Sequence, residues 1–283
     1  MSGAFTAWPA PAKLNLFLHI LGRRTDGYHE LQTLFQLLDW GDEVRLQITS
    51  DGRIERVGNL PGVPAQSDLA VRAARALQAH CGVRAGALID IHKRIPLGSG
   101  LAGGSSDAAT TLVALNELWG CGLSKPELAE LGLALGADVP VFVLGRSAWA
   151  EGVGERLEPL RLGTRHYVLI FPGLRIATAE VFADPHLPRD TPAIEPARWR
   201  FESSRNDCEA VVLARHPELR EVMQAAAAFG SPRLTGTGSC IFLPAEGENA
   251  ARGITTALKP RYNVRAVRGV DHSPLLARLS ADA

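Results

Sequence analysis

A glycine- and serine-rich segment, residues 98–106, is the feature that most constrains how this chain can fold. It holds four glycines and three serines, and it stands between a strand pattern over 87–92 and an apolar helical pattern that begins at Ala108. Glycine lets backbone N–H groups approach an oxygen anion closely, and a helix start offers unpaired N–H groups with a partial positive charge. The segment therefore predicts a phosphate-binding loop; a flexible loop that only caps the helix is the alternative.

This loop differs from the common nucleotide-binding motifs. Its G-x-G-x-x-G spacing over residues 98–103 matches the dinucleotide fingerprint, but that fingerprint needs a tight βαβ unit, and here a second helix pattern follows the first. The lysine and catalytic-loop motifs of protein kinases are absent. A Walker A loop would need a lysine after Gly104, where this chain has Ser105. Backbone amides and the helix dipole would thus hold the phosphate, with the hydroxyls of Ser105 and Ser106 available to phosphate or magnesium.

A lysine and an asparagine interrupt the first strand pattern. Residues 13–20 alternate leucines with polar and aromatic residues, which predicts a β-strand with one face in the core. Lys13 and Asn15 are two residues apart, so both side chains point to the other face. That face is therefore a candidate wall of a polar site.

Asp138 is the second unusual charge, because it lies in the apolar run 135–142. A carboxylate in such surroundings is costly unless it is paired, and Lys13 is the natural counter-charge. A nearby ammonium would keep Asp138 ionised and orient it toward a substrate hydroxyl. A purely structural ion pair between the two residues is the alternative.

The order of predicted elements indicates an α+β fold rather than a doubly wound sheet, because strands and helices mix in both halves without strict alternation. A length of 283 residues suits two joined domains, predicted at 1–158 and 159–283. The predicted strands cover residues 13–20, 33–38, 43–49, 87–92, 166–171, 241–243 and 263–270. The predicted helices cover residues 68–80, 108–119, 124–135, 216–229 and 249–258, and residues 184–207 are expected to be irregular.

Composition argues against partners of two classes, nucleic acids and membranes. Lys plus Arg and Asp plus Glu each number 30, so the formal net charge is zero and no basic patch stands out. The most apolar stretch, residues 131–144, is too short to span a bilayer. The first residues lack the pattern of a signal peptide, and the four cysteines form no Cys-x-x-Cys pair. We expect a soluble, cytoplasmic protein with reduced thiols.

Three segments together resemble the GHMP kinase family, named for galactose, homoserine, mevalonate and phosphomevalonate kinases. They are residues 11–16 (PAKLNL), 96–107 (PLGSGLAGGSSD) and 234–240 (LTGTGSC). The resemblance implies an ATP-dependent kinase with a ribosomal-S5-domain-2-like N-terminal domain, a ferredoxin-like C-terminal domain and the site between them. ATP with Mg²⁺ is the implied cofactor, and no residue is assigned as a metal ligand. The implied ATP loop consists of Pro96, Leu97, Gly98, Ser99, Gly100, Leu101, Ala102, Gly103, Gly104, Ser105 and Ser106, of which Ser99 and Ala102 replace expected glycines.

Within this family, segments 24–37, 135–142 and 206–209 are similar to those of members that phosphorylate a cytidine diphosphate-linked methylerythritol. This similarity implies transfer of the ATP γ-phosphate to the 2-hydroxyl of that small molecule, in the non-mevalonate route to isoprenoid precursors. Lys13 and Asp138 would then flank the hydroxyl, with Asp138 as the base and Lys13 as its electrostatic partner.

The same similarity implies a subsite for cytosine. Tyr28 and His29 would recognise the base, and Phe182 from the second domain would close the sandwich, with Thr178 nearby and Asn15 beside the substrate. Aromatic faces often stack on bases, although ordinary core aromatics are the alternative when only the residues are considered.

Two other functions stay open on the sequence. One is another GHMP-type kinase, acting on homoserine or a mevalonate-type substrate, for which segment 27–29 would have no evident role. The other is a non-catalytic nucleotide- or RNA-binding module, because S5-like domains also occur in RNA-binding proteins. A monomer or a weak homodimer is expected.

Overall fold

The computed structural model describes residues 4–281 and contains ten strands and nine α-helices within them. The strands are β1 (Thr6–Arg23), β2 (His29–Thr49), β3 (Ile54–Val57), β4 (Gly86–His92), β5 (Ala148–Gly152), β6 (Arg156–Pro159), β7 (Arg165–Phe171), β8 (Arg233–Leu234), β9 (Ile241–Ala245) and β10 (Asn263–Val270). The helices are α1 (Leu69–Cys81), α2 (Gly103–Leu118), α3 (Lys125–Leu133), α4 (Val139–Leu144), α5 (Thr178–Phe182), α6 (Cys208–Arg215), α7 (Glu218–Ala227), α8 (Glu248–Leu258) and α9 (Pro274–Ala281).

One mixed sheet runs through both halves of the molecule in the order β3-β4-β2-β10-β7-β9-β8, with β1 and β5 also paired to β2. The separate strands predicted at 33–38 and 43–49 are parts of the single strand β2, so that prediction was wrong. The break between them is Gly41, where a Cβ would lie 2.0 Å from the carbonyl oxygen of Ala10 on β1. Glycine here permits close strand approach rather than a turn.

Three clusters of buried side chains fill the interior. The first joins α1, α2 and α4 to the N-terminal strands, and it also takes Leu275 from α9. The second belongs to the C-terminal half but includes Leu18 and Ile20 of β1. The third is shared, with side chains from β1 and β2 packed against those of β7 and β9. Because elements cross between the halves, the division at residues 158 and 159 stays a prediction.

Several short elements were absent from the predicted set. Helix α4 is a continuous apolar run of six residues with Pro140 in its first turn, and it ends at Gly145 with φ 68°. So short a run shows no helical period, which is why its sequence did not indicate a helix. Helices α5, α6 and α9 and strands β3, β5, β6 and β8 were missed as well. The expectation of an irregular segment at 184–207 is confirmed, apart from one 3₁₀ turn at Pro196–Arg198.

Three buried charged groups lie where α2 meets the sheet. The ammonium of Lys93 binds the carboxylates of Asp42 and Asp107, the latter at 2.7 Å. Burial acts to lower the pKa of Lys93, but the two carboxylates outweigh it and raise that pKa. Burial raises the pKa of Asp107 to about 7, partly opposed by Lys93. One ammonium cannot fully balance two buried carboxylates, so this cluster retains a proton on Asp107 up to near-neutral pH.

We predict that Asp107→Asn changes how stability depends on pH. Because the pKa of Asp107 is raised in the folded state, its contribution is fully present below the unfolded pKa and is lost as the pH rises through about 7. The wild-type free energy of unfolding should therefore fall by roughly 2 kcal/mol more than that of the variant between pH 5 and pH 8. Urea unfolding at a series of pH values measures this difference.

The matched control is Asp51→Asn. Hydrogen bonds from Thr49 and Arg53 lower the pKa of this exposed carboxyl to about 2, so it does not titrate between pH 5 and pH 8. The control can change the stability but should keep the wild-type slope. Equal slopes in wild type and Asp107→Asn would contradict the proton assignment.

Candidate active site

A cleft of about 740 Å³ is lined by residues of both halves. It brings together most of the side chains that the sequence singled out. The sequence-predicted residues along it are Lys13, Asn15, Tyr28, His29, Pro96, Leu97, Gly98, Ser99, Gly100, Ala102, Gly103, Gly104, Ser105, Asp138, Thr178 and Phe182.

Leu101 and Ser106 belong to the implied ATP loop but do not line the cleft. Leu101 is fully buried and packs in the shared core. The hydroxyl of Ser106 donates to the carbonyl oxygen of Pro11 at 2.6 Å, which ties α2 to β1. That hydroxyl is therefore engaged within the protein, whereas Ser105 lines the cleft.

Lys13 and Asp138 meet in this cleft. Nζ of Lys13 lies 3.6 Å from Oδ2 of Asp138, with the lysine side chain 4% exposed and the aspartate side chain 35% exposed. The ammonium also donates to Oδ1 of Asn15 at 2.5 Å and to the carbonyl oxygen of Gly100 at 3.1 Å. Burial lowers the pKa of Lys13, and the charge and hydrogen bond of Asp138 oppose that shift. Three acceptors therefore fix the ammonium beside a carboxylate that reaches solvent.

The glycine loop is shaped by the second half of the chain. The N–H of Cys240 donates to the carbonyl oxygen of Ser99 at 3.0 Å, and that of Ser239 to the carbonyl oxygen of Gly98 at 3.3 Å. A Cβ on Gly100 would lie 2.2 Å from the carbonyl oxygen of Thr235, and the residue has φ 76°, so this position requires glycine.

Helix α2 starts within this segment, at Gly103, and no side chain caps its first N–H groups. Its N-cap, Ala102, has φ 57° and is the only non-glycine residue with positive φ among residues 4–281. A left-handed conformation costs alanine roughly 1–2 kcal/mol, which explains why glycine is expected there. The N–H groups at the positive end of α2 are suited to bind an anion, and residues 103–105 of this turn line the cleft.

Two rings stand at the other end of the cleft. The ring centroids of His29 and Phe182 are 5.1 Å apart, and Tyr28 is 63% exposed beside them. Burial lowers the pKa of His29, and the positive charges of Arg189 and Arg23 add to that shift. Three rings thus border this end of the cleft.

The remaining predicted residues hold the walls. Nδ2 of Asn15 donates to Oγ1 of Thr33 at 3.0 Å, which orients its Oδ1 toward Lys13. Oγ1 of Thr178 lies 3.1 Å from Oγ1 of Thr237, so the start of α5 contacts the 234–240 loop.

Among the residues of this region that the sequence analysis did not single out are Phe35, Lys93 and Arg189. The ring centroid of Phe35 lies 5.4 Å from Nζ of Lys13. In the sequence, Phe35 looks like an ordinary strand residue. Arg189 lies in a segment rich in proline and arginine with no periodic pattern, so only tertiary structure could reveal its contacts.

Residues 4–281 contain no group of three His, Cys, Asp or Glu side chains that could hold a metal ion. Within the same range, none of the helices combines the length and apolar character needed to cross a membrane.

Comparison with known families gives two matches. The model of the GHMP kinases N terminal domain matches residues 68–146, and that of the GHMP kinases C terminal domain matches residues 192–264. The two matches cover more than half of the chain.

Two relatives match over nearly the full length. The 4-diphosphocytidyl-2-C-methyl-D-erythritol kinase of Halorhodospira halophila is 52% identical, over 99% of this chain and 98% of the relative. The protein of the same name from Alkalilimnicola ehrlichii is 53% identical, over 97% and 94%.

Solved structures show the same similarity. A crystal structure of 4-(cytidine 5'-diphospho)-2C-methyl-D-erythritol kinase superimposes with a TM-score of 0.81 at 38% identity, over 94% of this chain and all of that one. Homoserine kinase from Cytophaga hutchinsonii, at 17% identity and a TM-score of 0.64 over 96% and 95%, shares the fold. The predicted α+β kinase fold is thereby confirmed, and the chain belongs to the GHMP kinase family, whose members use ATP as the phosphate donor.

Proposed function

We propose that this kinase transfers the γ-phosphate of ATP to the 2-hydroxyl of 4-diphosphocytidyl-2-C-methyl-D-erythritol, giving ADP and the 2-phosphate. This step belongs to the non-mevalonate route to isoprenoid precursors. Relatives bearing the corresponding name, at 52% and 53% identity over nearly the full chain, support the substrate. The observation that carries the proposal is the contact between Lys13 and Asp138 in the same cleft as the glycine loop and the His29–Phe182 ring pair.

In this proposal Asp138 is the base. Its carboxylate is 35% exposed and reaches the cleft, where it accepts the proton of the substrate hydroxyl as the oxygen attacks the γ-phosphorus. Phosphoryl transfer passes through a loose transition state, so the proton leaves late and the carboxylate need not be strongly basic. Its main task is to align the hydroxyl with the phosphate.

Lys13 supplies the positive charge beside the reacting oxygen. Asn15 and the carbonyl oxygen of Gly100 hold its ammonium in position, so little reorganisation is needed when negative charge develops. Because Gly100 belongs to the glycine loop, the same contact sets the distance between the ammonium and the triphosphate.

The nucleotide would bind as its Mg²⁺ complex. Asp138 is the single carboxylate among the described residues lining the cleft, which fits an ion held mainly by phosphate oxygens rather than by a protein-built site. When bound, the ion neutralises charge on the phosphates; the amides at the start of α2 orient them.

Two further features are proposed, a location and an oligomeric state. The four cysteines are free thiols, which suits a location in the reducing cytoplasm. A monomer or weak homodimer stays a prediction.

We predict that Asp138→Asn lowers kcat at least roughly 100-fold, the usual scale for a positioned base, with little change in either KM. The amide keeps the size of the side chain but cannot accept the proton. Steady-state ADP release with ATP, Mg²⁺ and the cytidylated substrate measures the effect. Glu130→Gln, on an exposed position of α3, is the matched control and should keep wild-type turnover. Near-normal turnover of Asp138→Asn would refute its role as the base.

We predict that Tyr28→Ala raises KM for the cytidylated substrate about tenfold or more, because stacking on one base is worth about 1–3 kcal/mol. KM for ATP should stay the same. Phe229→Ala removes a ring that is 41% exposed and does not line the cleft, so it serves as the control. The same assay should include homoserine and mevalonate. If the wild type phosphorylates either one as efficiently as the cytidylated alcohol, the chain is another kind of GHMP kinase.

A further inference from the structure

The guanidinium of Arg189 makes four hydrogen bonds at the end of the cleft that holds the rings. Its Nε donates to Nε2 of His29 at 3.1 Å. Its Nη1 donates to the carbonyl oxygen of Leu187 at 2.9 Å, and its Nη2 to those of Phe182 at 3.0 Å and Asp184 at 2.8 Å. Three backbone acceptors thus fix the orientation of this planar group, and its Nε–H donor reaches the ring of His29.

These contacts join the two halves of the molecule. His29 is the first residue of β2, whereas Phe182 is the last residue of α5. Arg189 binds the backbone of one and the ring of the other, and the two rings lie 5.1 Å apart. Arg189 therefore links the two elements that carry the rings.

The contact also determines which ring nitrogen of His29 carries the proton. An arginine side chain stays charged and can only donate hydrogen bonds, so Nε2 must be the acceptor. In a neutral imidazole the proton then lies on Nδ1. Burial, followed by the charges of Arg189 and Arg23, lowers the pKa of His29 and favours this neutral ring. Within residues 4–281 no protein group pairs with Nδ1, and the residue lines the cleft.

We propose that Arg189 is a positioning residue for recognition of the substrate base: it fixes His29 as a neutral Nδ1–H donor and holds that ring next to Phe182. This inference rests on the proposed function, in which a cytidine diphosphate-linked alcohol occupies the cleft. The donor suits cytosine, whose O2 and N3 both accept hydrogen bonds, whereas N3 of uracil carries a hydrogen. If the proton were on Nε2 instead, the unprotonated Nδ1 of His29 would face an acceptor atom of the base, and the two could not form a hydrogen bond.

The kinetic test compares Arg189→Met and Arg189→Lys with the wild type. Loss of the donor and of the link to Phe182 should raise KM for the cytidylated substrate about tenfold in the Met variant, with kcat within twofold and KM for ATP unchanged. The Lys variant, which restores a charged donor to one acceptor, should recover part of the loss. Arg200→Met is the matched control, because Arg200 lies in the same segment and donates to the carbonyl oxygens of Ala197 and Trp199, away from the cleft. An unchanged KM in Arg189→Met would overturn the proposal.

The spectroscopic test needs no substrate. Long-range ¹H–¹⁵N spectra of the free, ¹⁵N-labelled enzyme distinguish protonated from unprotonated ring nitrogens, and a His29→Gln variant assigns the signal. The wild type should show Nδ1–H, and Arg189→Met should show the Nε2–H form that a free histidine side chain favours. A wild-type ring protonated on Nε2 would overturn the proposal. If the enzyme proves inactive on the cytidylated alcohol, the proposed function fails, while the spectrum still decides whether Arg189 sets the proton on His29.

Discussion

Lys13 carries a positive charge into a position that is 3% exposed, where burial lowers the pKa of its ammonium. Three oxygen acceptors offset that cost, and each comes from a different element: Asn15 from β1, Gly100 from the glycine loop and Asp138 from the start of α4. The three acceptors meet only if the strand, the loop and the helix are correctly placed relative to one another. The same arrangement that holds the ammonium in place therefore also defines the proposed reaction centre.

The glycine loop, which we propose binds the nucleotide, depends on the opposite half of the chain. Backbone groups of Ser239 and Cys240 bind the carbonyl oxygens of Gly98 and Ser99, and Gly100 packs directly on Thr235. The 234–240 segment thus supports the glycine loop from the opposite half of the chain. At the far end of the cleft the two halves meet again through Arg189 and His29. Both subsites consequently lie at contacts between the halves, so their geometry is sensitive to how the halves pack.

Much of the site could be predicted from the sequence because it depends on costly residues. A lysine in a strand, an aspartate in an apolar run and a dense group of glycines each need a reason to be there, and the structure brings all three together. The residues that escaped prediction have the opposite character. Arg189 resembles any surface arginine. Lys93 pairs with Asp42, 51 positions away in the sequence, and with Asp107, 14 positions away. The fold was predicted less well where glycine served close packing, as at Gly41, or where an element was too short to show a period, as in α4.

The path of the last residues bears on how the chain folds during its synthesis. Gly269 and Val270 pair with Leu38 and Leu37 of β2, Leu275 is 1% exposed in the N-terminal core, and the guanidinium of Arg278 lies 5.0 Å from the ring of Trp8. Although domains commonly fold in order as they leave the ribosome, this first core stays open on one side until almost the whole chain has emerged. The proposed reaction centre built on β1 therefore lies in a core that is completed late, by residues 269–278.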